Sequence, residues 1–174
     1  MHKGKRRKLV ETGGPIGKVA IMGLLARHGE VRAKVLREAK QSNVQGMVRE
    51  HVQAGTELFN DAHPAYFGMA ADYIHGVIDH AEKYVDGKIH TNGLENFWSL
   101  LKRGLKGTYV AVEPFHLFRY LDEQVFRYNY RKDKNNKPLK DGERFHIAVG
   151  NIVGKRLSYD EVTGKNIEDK TWLN

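Results

Sequence analysis

His90-Thr91-Asn92-Gly93-Leu94-Glu95-Asn96-Phe97-Trp98-Ser99-Leu100-Leu101-Lys102-Arg103-Gly104-Leu105-Lys106-Gly107-Thr108-Tyr109 is the stretch on which the fold turns. At about 100° per residue, Leu94, Trp98, Leu101 and Leu105 fall in one narrow stripe, with Phe97 at its edge. The spacing predicts an amphipathic helix over 92–105. Its other side gathers Asn92, Glu95, Ser99, Lys102 and Arg103, at about 80° to 180° from Leu94. Glu95 and Lys102 are seven positions apart, so they project together two turns along the helix.

Toward the N-terminus, Val19 to Ala26 reads as a buried strand, and His28-Gly29-Glu30 as a turn. Val31 to Leu36 alternates apolar and basic residues, as a half-buried strand does, so the two form a hairpin. Gln41 to Gln53 is helical through Val44, Met47, Val48 and His51, with Gly55 where such a helix ends. Thr56 to Asp61 is a short strand closing on an acid, and Tyr73 to Ile78 is a further strand. Toward the C-terminus, Pro114 opens a helix running to Tyr130, with Leu117, Phe118, Leu121, Val125 and Phe126 as its apolar positions. Lys132 to Gly142 is polar and unpatterned, a loop or flexible linker, and Phe145 to Val153 is expected to close the domain as a helix. Strands first and helices interleaved later indicate an α/β or α+β layer fold.

The chain has 174 residues, 40% hydrophobic and 29% charged, which suits one globular domain with at most a small appendage. Its formal net charge of +8 points to a polyanionic partner, nucleic acid before an anionic membrane surface. The charge is concentrated. Lys3, Lys5, Arg6, Arg7 and Lys8 form an acid-free basic tract, and residues 99–140 carry ten cations against four acids. Cysteine is absent, which excludes disulfides, thiolate zinc sites and cysteine nucleophiles and fits a reducing cytosol. No run approaches the roughly 20 apolar residues of a membrane span. The tract followed by Val19 to Ala26 loosely imitates a signal peptide. Glu11 and Lys18 interrupt the approach, however, and Arg27-His28-Gly29-Glu30 stands where small cleavage-site residues belong.

Two places can carry chemistry: Asp61 at the end of its strand, and the polar side of the 92–105 helix. An acid on a strand end and an acid on a facing helix suit Mg²⁺, a hard cation that takes oxygen ligands and keeps positions open for water and phosphate. Two such ions would clamp the attacking and leaving oxygens of phosphodiester cleavage. Lys102 could hold a substrate phosphate as a point charge. The plainer alternative is that Glu95 and Lys102 are surface residues of an amphipathic helix.

The stretch from His90 to Tyr109, with its His-x-Asn-x-x-Glu, Trp-Ser and Leu-Lys-Arg elements, resembles the signature of the ISXO-like insertion-sequence transposases. Pro114 to Glu123, Phe126-Arg127-Tyr128-Asn129, Gly14 to Lys18, Phe59 to Tyr66 and Ile152 to Arg156 are similar to the same family. The resemblance covers most of the chain. It implies a ribonuclease-H-like catalytic domain of the DDE class, a mixed sheet flanked by helices, working with Mg²⁺ (or Mn²⁺) and three acidic positions. Such an enzyme nicks double-stranded DNA at insertion-sequence ends, and the freed 3′-hydroxyl attacks target DNA. By position, Asp61 matches the second acid and Glu95 the third, with Asn92 as a contender for the third ligand. Lys102 matches the basic residue seven positions after the acid, which contacts DNA. Arg103, Lys106, Lys3, Arg6 and Arg7 extend the expected DNA contacts.

One departure from the family matters. Its first catalytic Asp lies on a first strand that precedes the basic tract, and no Asp occurs here before Asp61. Glu11 sits in a loop and is a poor substitute. The expected organisation is therefore a basic segment over 1–18, a ribonuclease-H-like domain over 19–131 with its first strand missing, and an extension over 132–174. On this reading the chain is a truncated copy with weak or no activity alone, and the exposed sheet edge favours association into a homo-oligomer. The expected location is the bacterial cytoplasm, at the nucleoid, with no membrane partner. The rival readings are a non-catalytic DNA-binding remnant of the same fold and a cellular nuclease that cuts branched DNA.

Other features are weaker. His51, His63, His75, His80 and His90 show no i, i+4 pair on a helix, so surface or hydrogen-bonding roles outrank zinc. His90, just before the helix, either orients a site carboxylate or serves helix entry. Most aromatics read as core. Tyr128 and Tyr130, alternating with Arg127 and Arg131, could instead stack on unpaired bases. Gly13-Gly14-x-x-Gly17-Lys18 lacks the spacing, the following helix and the hydroxyl of a phosphate loop.

Overall fold

The computed structural model describes residues 19–163 apart from 28, 37, 62, 79–91, 110–111 and 113, and for Asp61, Val77, Ile78, Asn92 and Pro114 it describes the backbone alone. The architecture is mixed α/β, with small sheets and several helices. β1 (Ala20–Leu25) and β2 (Val31–Leu36) form the antiparallel hairpin read from the sequence, in register from Ala20 opposite Leu36 to Leu25 opposite Val31. β3 (Glu57–Asp61) and β4 (Ile74–Ile78) pair in parallel, Asp61 opposite Ile78. Among the described residues these two pairs are separate sheets.

α1 (Gln41–His51) lies on one side of the hairpin. Strand alternation sends Met22, with the partly buried Ala20 and Leu24, toward Val44, Met47 and Val48 of α1, and Leu58 of β3 joins the same cluster. Both strand pairs therefore contribute to one core under α1. Burying this cluster stabilises at roughly 25 cal/mol per Å² of apolar surface removed from water.

The opposite face of the hairpin is covered by α2 (Asn92–Arg103) and α3 (Leu117–Asn129). Val31, Val35, Phe97, Leu101, Leu121 and Tyr128 make this second core. Phe97, placed by the wheel at the edge of its stripe, is fully buried at the centre, with Trp98 and Tyr128 packed edge-on at 5.0 and 5.5 Å between ring centroids. Gly23 lets α2 approach this closely. A Cβ there would stand 2.7 Å from Trp98 Cζ2 and 3.1 Å from Leu94 Cδ1.

Asn129, the last residue of α3, locks the helix to the hairpin. Val31 N donates to Asn129 Oδ1 (2.8 Å), and Asn129 Nδ2 donates to Val31 O (2.9 Å). The outer edge of β2 is closed at that end by a side chain that mimics a paired strand. Tyr128 Oη donates to Gly93 O (3.1 Å), fastening the start of α2 to the end of α3.

One sequence expectation needs correction. The 132–140 stretch is a loop, one of the two forms read from the sequence, and the following helix takes in Asp141 and Gly142: Lys132 bridges to Pro138, Asp133 Oδ1 accepts from Asn135 N and Lys137 N (both 2.8 Å), and Asn136 holds φ 66°. The expected closing helix exists as α4 (Asp141–Ile152), but it does not close the domain. Phe145, Val149 and Ile152 are exposed, because no described element packs on that face. α5 (Tyr159–Thr163) follows, joined to α3 where Arg119 Nη2 donates to Glu161 O (2.8 Å).

Candidate nucleic-acid interface

α2 forms because one stripe of Leu94, Phe97, Trp98 and Leu101 has a core to enter, and Glu95 in its first turn suits the positive end of the helix dipole. Burial of that stripe forces the other side outward. Glu95, Ser99, Lys102 and Arg103 are exposed together, as the wheel predicts. Lys102 and Arg103 in the last turn suit the negative end of the dipole.

The helix does not stop at Arg103. Gly104 to Thr108 continues as one wider π-helical turn, closed by Tyr109 N donating to Gly104 O (3.1 Å). Lys106 on this turn is exposed. Tyr109 then anchors the turn to α3: its hydroxyl donates to Glu123 Oε2 (2.6 Å), and its ring meets Tyr120 at 4.5 Å. Arg127 engages the other oxygen of Glu123 at 2.8 Å. Donation to Glu123 and partial burial raise the Tyr109 pKa above its ordinary value. Sequence reasoning missed this clamp. Its only local trace is the pair Gly104 and Gly107, which leave the turn free to widen.

No ion pair among the described residues engages Lys102, Arg103 or Lys106. Three cations on one helix end, held by a packed core behind them and unneutralised, offer a phosphate backbone a rigid row of charge. The loop after α3 adds Lys132, Lys134, Lys137 and Lys140, all exposed. A polar depression of about 380 Å³ opens where this loop meets the hairpin turn, lined by Gly29, Asn129, Arg131, Lys132, Asp133 and Asn136 among others.

The predicted acidic positions are only partly visible. Asp61 ends β3, and position 61 falls on the same face of the strand as position 59. Phe59 on that face lies against Gly76, and Arg27 at the end of β1 sits over its ring at 5.6 Å. Asn92 is the first residue of α2. The side chains of Asp61 and Asn92 lie outside the described residues, as do Lys3, Arg6, Arg7, Glu11, the glycine-rich 13–18 segment, His80 and His90. Among the described residues, no three His, Asp or Glu side chains form a group able to hold a metal ion. The described side chains alone therefore do not fit a divalent cation. Three of the remaining histidines have local roles: His51 beside Arg32 at 3.3 Å, His63 accepting from Ala65 N, and His75 bonded to Asn60 Oδ1.

Of the two readings of Tyr128, core and base stacking, the structure favours the core: the side chain is buried, its hydroxyl is committed to Gly93, and Arg131 covers its ring at 3.9 Å. Tyr130 remains exposed.

The fold and this basic face define a mixed α/β domain that presents an ordered cationic helix end. The chain belongs to the family of the ISXO2-like transposase domain, whose family model matches residues 1–129. Comparison with curated proteins and with solved structures brought no match. No helix among the described residues is long and apolar enough to cross a membrane.

Proposed function

We propose that this chain serves insertion-sequence transposition as the DNA-handling core of a ribonuclease-H-like DDE transposase. The observation that carries the reading is the exposed row of Lys102, Arg103 and Lys106 on α2 and the turn after it, engaged by no ion pair among the described residues, in a chain of this family. The row binds the phosphates of double-stranded DNA, both the element ends and the target. Lys102 lies two turns from Glu95, close enough for one phosphate path to pass both.

The finer reading of the fold is one mixed sheet in which a further strand, beyond the four described, lies between β1 and β3. Two features support it. β1 and β3 belong to one core yet are not bonded to each other. Asn60 Nδ2 on β3 is buried without a hydrogen-bond partner among the described residues. In this reading Asp61 and Glu95, with Asn92 as the alternative to Glu95, are two of three Mg²⁺ or Mn²⁺ ligands, and the third acid rides on that strand. No Asp precedes Asp61 in these 174 residues, so the chain alone is expected to show little or no strand transfer. The second reading is a DNA binder without chemistry.

Salt-dependent binding to duplex DNA tests the proposal. Replacing Lys102, Arg103 and Lys106 together by Ala should reduce the log–log salt slope by about 2 to 3, at roughly 0.9 per phosphate contact. An unchanged slope contradicts it. Glu95→Ala separates the two readings: a metal site makes binding respond in a Mg²⁺-dependent way, and a pure binder ignores the change.

A further inference from the structure

The loop after α3 is a second ordered set of cations. Residues 131–140 carry Arg131, Lys132, Lys134, Lys137 and Lys140 against one acid, Asp133. That acid is spent on the loop itself, its Oδ1 accepting from Asn135 N and Lys137 N (both 2.8 Å). Asp133 N donates to Lys137 O (2.8 Å) and Leu139 N to Arg131 O (3.1 Å), so the loop folds back on itself around the bridge from Lys132 to Pro138. Arg131 is held over the Tyr128 ring. Lys132, Lys134 and Lys137 are exposed, and no ion pair among the described residues engages them. Cations on a backbone already folded lose little entropy when a partner binds.

The loop stands at the opposite end of α2 from Lys106. α2 and α3 run antiparallel: Tyr128, near the end of α3, bonds to Gly93 at the start of α2, whereas Tyr109, beyond α2, bonds to Glu123 further back on α3. The chain leaving α3 at Tyr130 therefore continues past the start of α2. Leu25 also stands against Gly93, and the polar depression shared by Gly29, Arg131 and Lys132 opens at this end. Glu95, in the first turn of α2, thus lies along the helix axis between the loop and the row of Lys102, Arg103 and Lys106. From Gly93 to Lys102 the axis rises about 14 Å, or about four base pairs of duplex at roughly 3.4 Å each.

Building on the reading of α2 as a DNA-binding face, we propose that the 131–140 loop is a second contact for the same duplex, on the other side of Glu95 from Lys102, Arg103 and Lys106. Two contacts separated by about four base pairs or more fix the line of the DNA backbone across Glu95, where one contact alone leaves the duplex free to swing. Arg131 and Lys132, beside the depression, seat one phosphate. Lys134 and Lys137 continue the track outward. The charge serves a duplex and not a membrane: between 131 and 140 no aromatic or large aliphatic side chain is exposed to enter a lipid surface. The loop lies beyond the matched stretch 1–129, so the family match does not assign it.

Fluorescence anisotropy of the full 174-residue chain with a duplex of about 20 base pairs, titrated across salt, tests the second contact. Lys132→Ala/Lys134→Ala/Lys137→Ala should lower the log–log salt slope by about 2 to 3, in addition to the loss from the α2 variant. Circular dichroism should stay unchanged, because all three side chains are exposed. Lys155→Ala/Arg156→Ala removes two exposed cations beyond α4 and should leave the slope as it is. A photoreactive side chain at position 99, exposed midway along α2, should cross-link to the duplex, with a yield cut several-fold by the loop variant. A loop variant that keeps both the slope and this yield, while the α2 variant loses slope, overturns the second contact and leaves the α2 face standing. An equal loss per cation from Lys155→Ala/Arg156→Ala reduces the loop to diffuse attraction and overturns the contact as well. An α2 variant with an unchanged slope instead removes the DNA-binding row itself, and the two-sided path falls with it.

Discussion

Asn129→Ala removes the side chain that holds α3 against β2 from 98 positions away. Two hydrogen bonds are lost, at 2.8 and 2.9 Å, each worth about 1 kcal/mol net. The Val31 N–H and C=O also lose their partner at a partly buried edge, where an unmet group costs about 1 to 3 kcal/mol before water repairs it. The expected loss is about 2 to 3 kcal/mol, a large share of the 5 to 15 kcal/mol that holds a typical domain. Urea unfolding followed by circular dichroism reads it as a midpoint lowered by about 1 to 2 M at an unchanged slope. Asn129→Asp keeps the acceptor for Val31 N and loses the donor to Val31 O, so it should recover about half of the loss. Amide exchange at Val31 should speed up in the Ala variant and less so in the Asp variant. A loss below about 0.5 kcal/mol, the size of an ordinary surface substitution, would refute the reasoning. So would an Asp variant no better than Ala.

The remaining predictions concern the seat of α2 and its clamp. Gly23→Ala should destabilise by about 1 to 3 kcal/mol through the collision with Trp98, and Gly23→Ala/Trp98→Leu should cost less than the two changes added together in urea titrations. The raised Tyr109 pKa means the neutral phenol is favoured in the fold, so its contribution is complete below the ordinary tyrosine value and is lost as pH climbs through the raised one. Glu123→Gln should bring that titration down, read as phenolate absorbance appearing at lower pH. Tyr109→Phe should loosen the Gly104–Thr108 turn and weaken DNA binding several-fold without unfolding the chain, as anisotropy and circular dichroism together would show.

Much of the fold was legible because its signals are local. The hairpin shows in the apolar run Val19–Ala26 and the alternation of Val31–Leu36, and α2 in a stripe that has one place to go. Phe97 was placed at the rim of that stripe because a helical wheel treats all directions as equal. The sheet, with Tyr128 behind it, makes Phe97 the centre. The sequence leaves Tyr128 between core and stacking for a related reason: alternation with arginine marks a surface only until a specific partner, here Gly93 O, claims the hydroxyl. The 98-residue reach of Asn129 to Val31 leaves no trace in sequence spacing. Of the candidate site, the cationic side follows from the wheel, because burying one face exposes the other. The acidic side needs residues that are distant in sequence to meet, and spacing along one helix carries no information about that.

Photo-crosslinking tests the central claim most directly. A photoreactive side chain placed at position 102 or 106 should cross-link to duplex DNA, and the yield should fall with rising salt. The same group at position 50, on the exposed outer side of α1 across the hairpin from α2, should not. Equal yields from both faces, or none from 102 and 106, would contradict the assignment of α2 and its turn as the DNA-binding face.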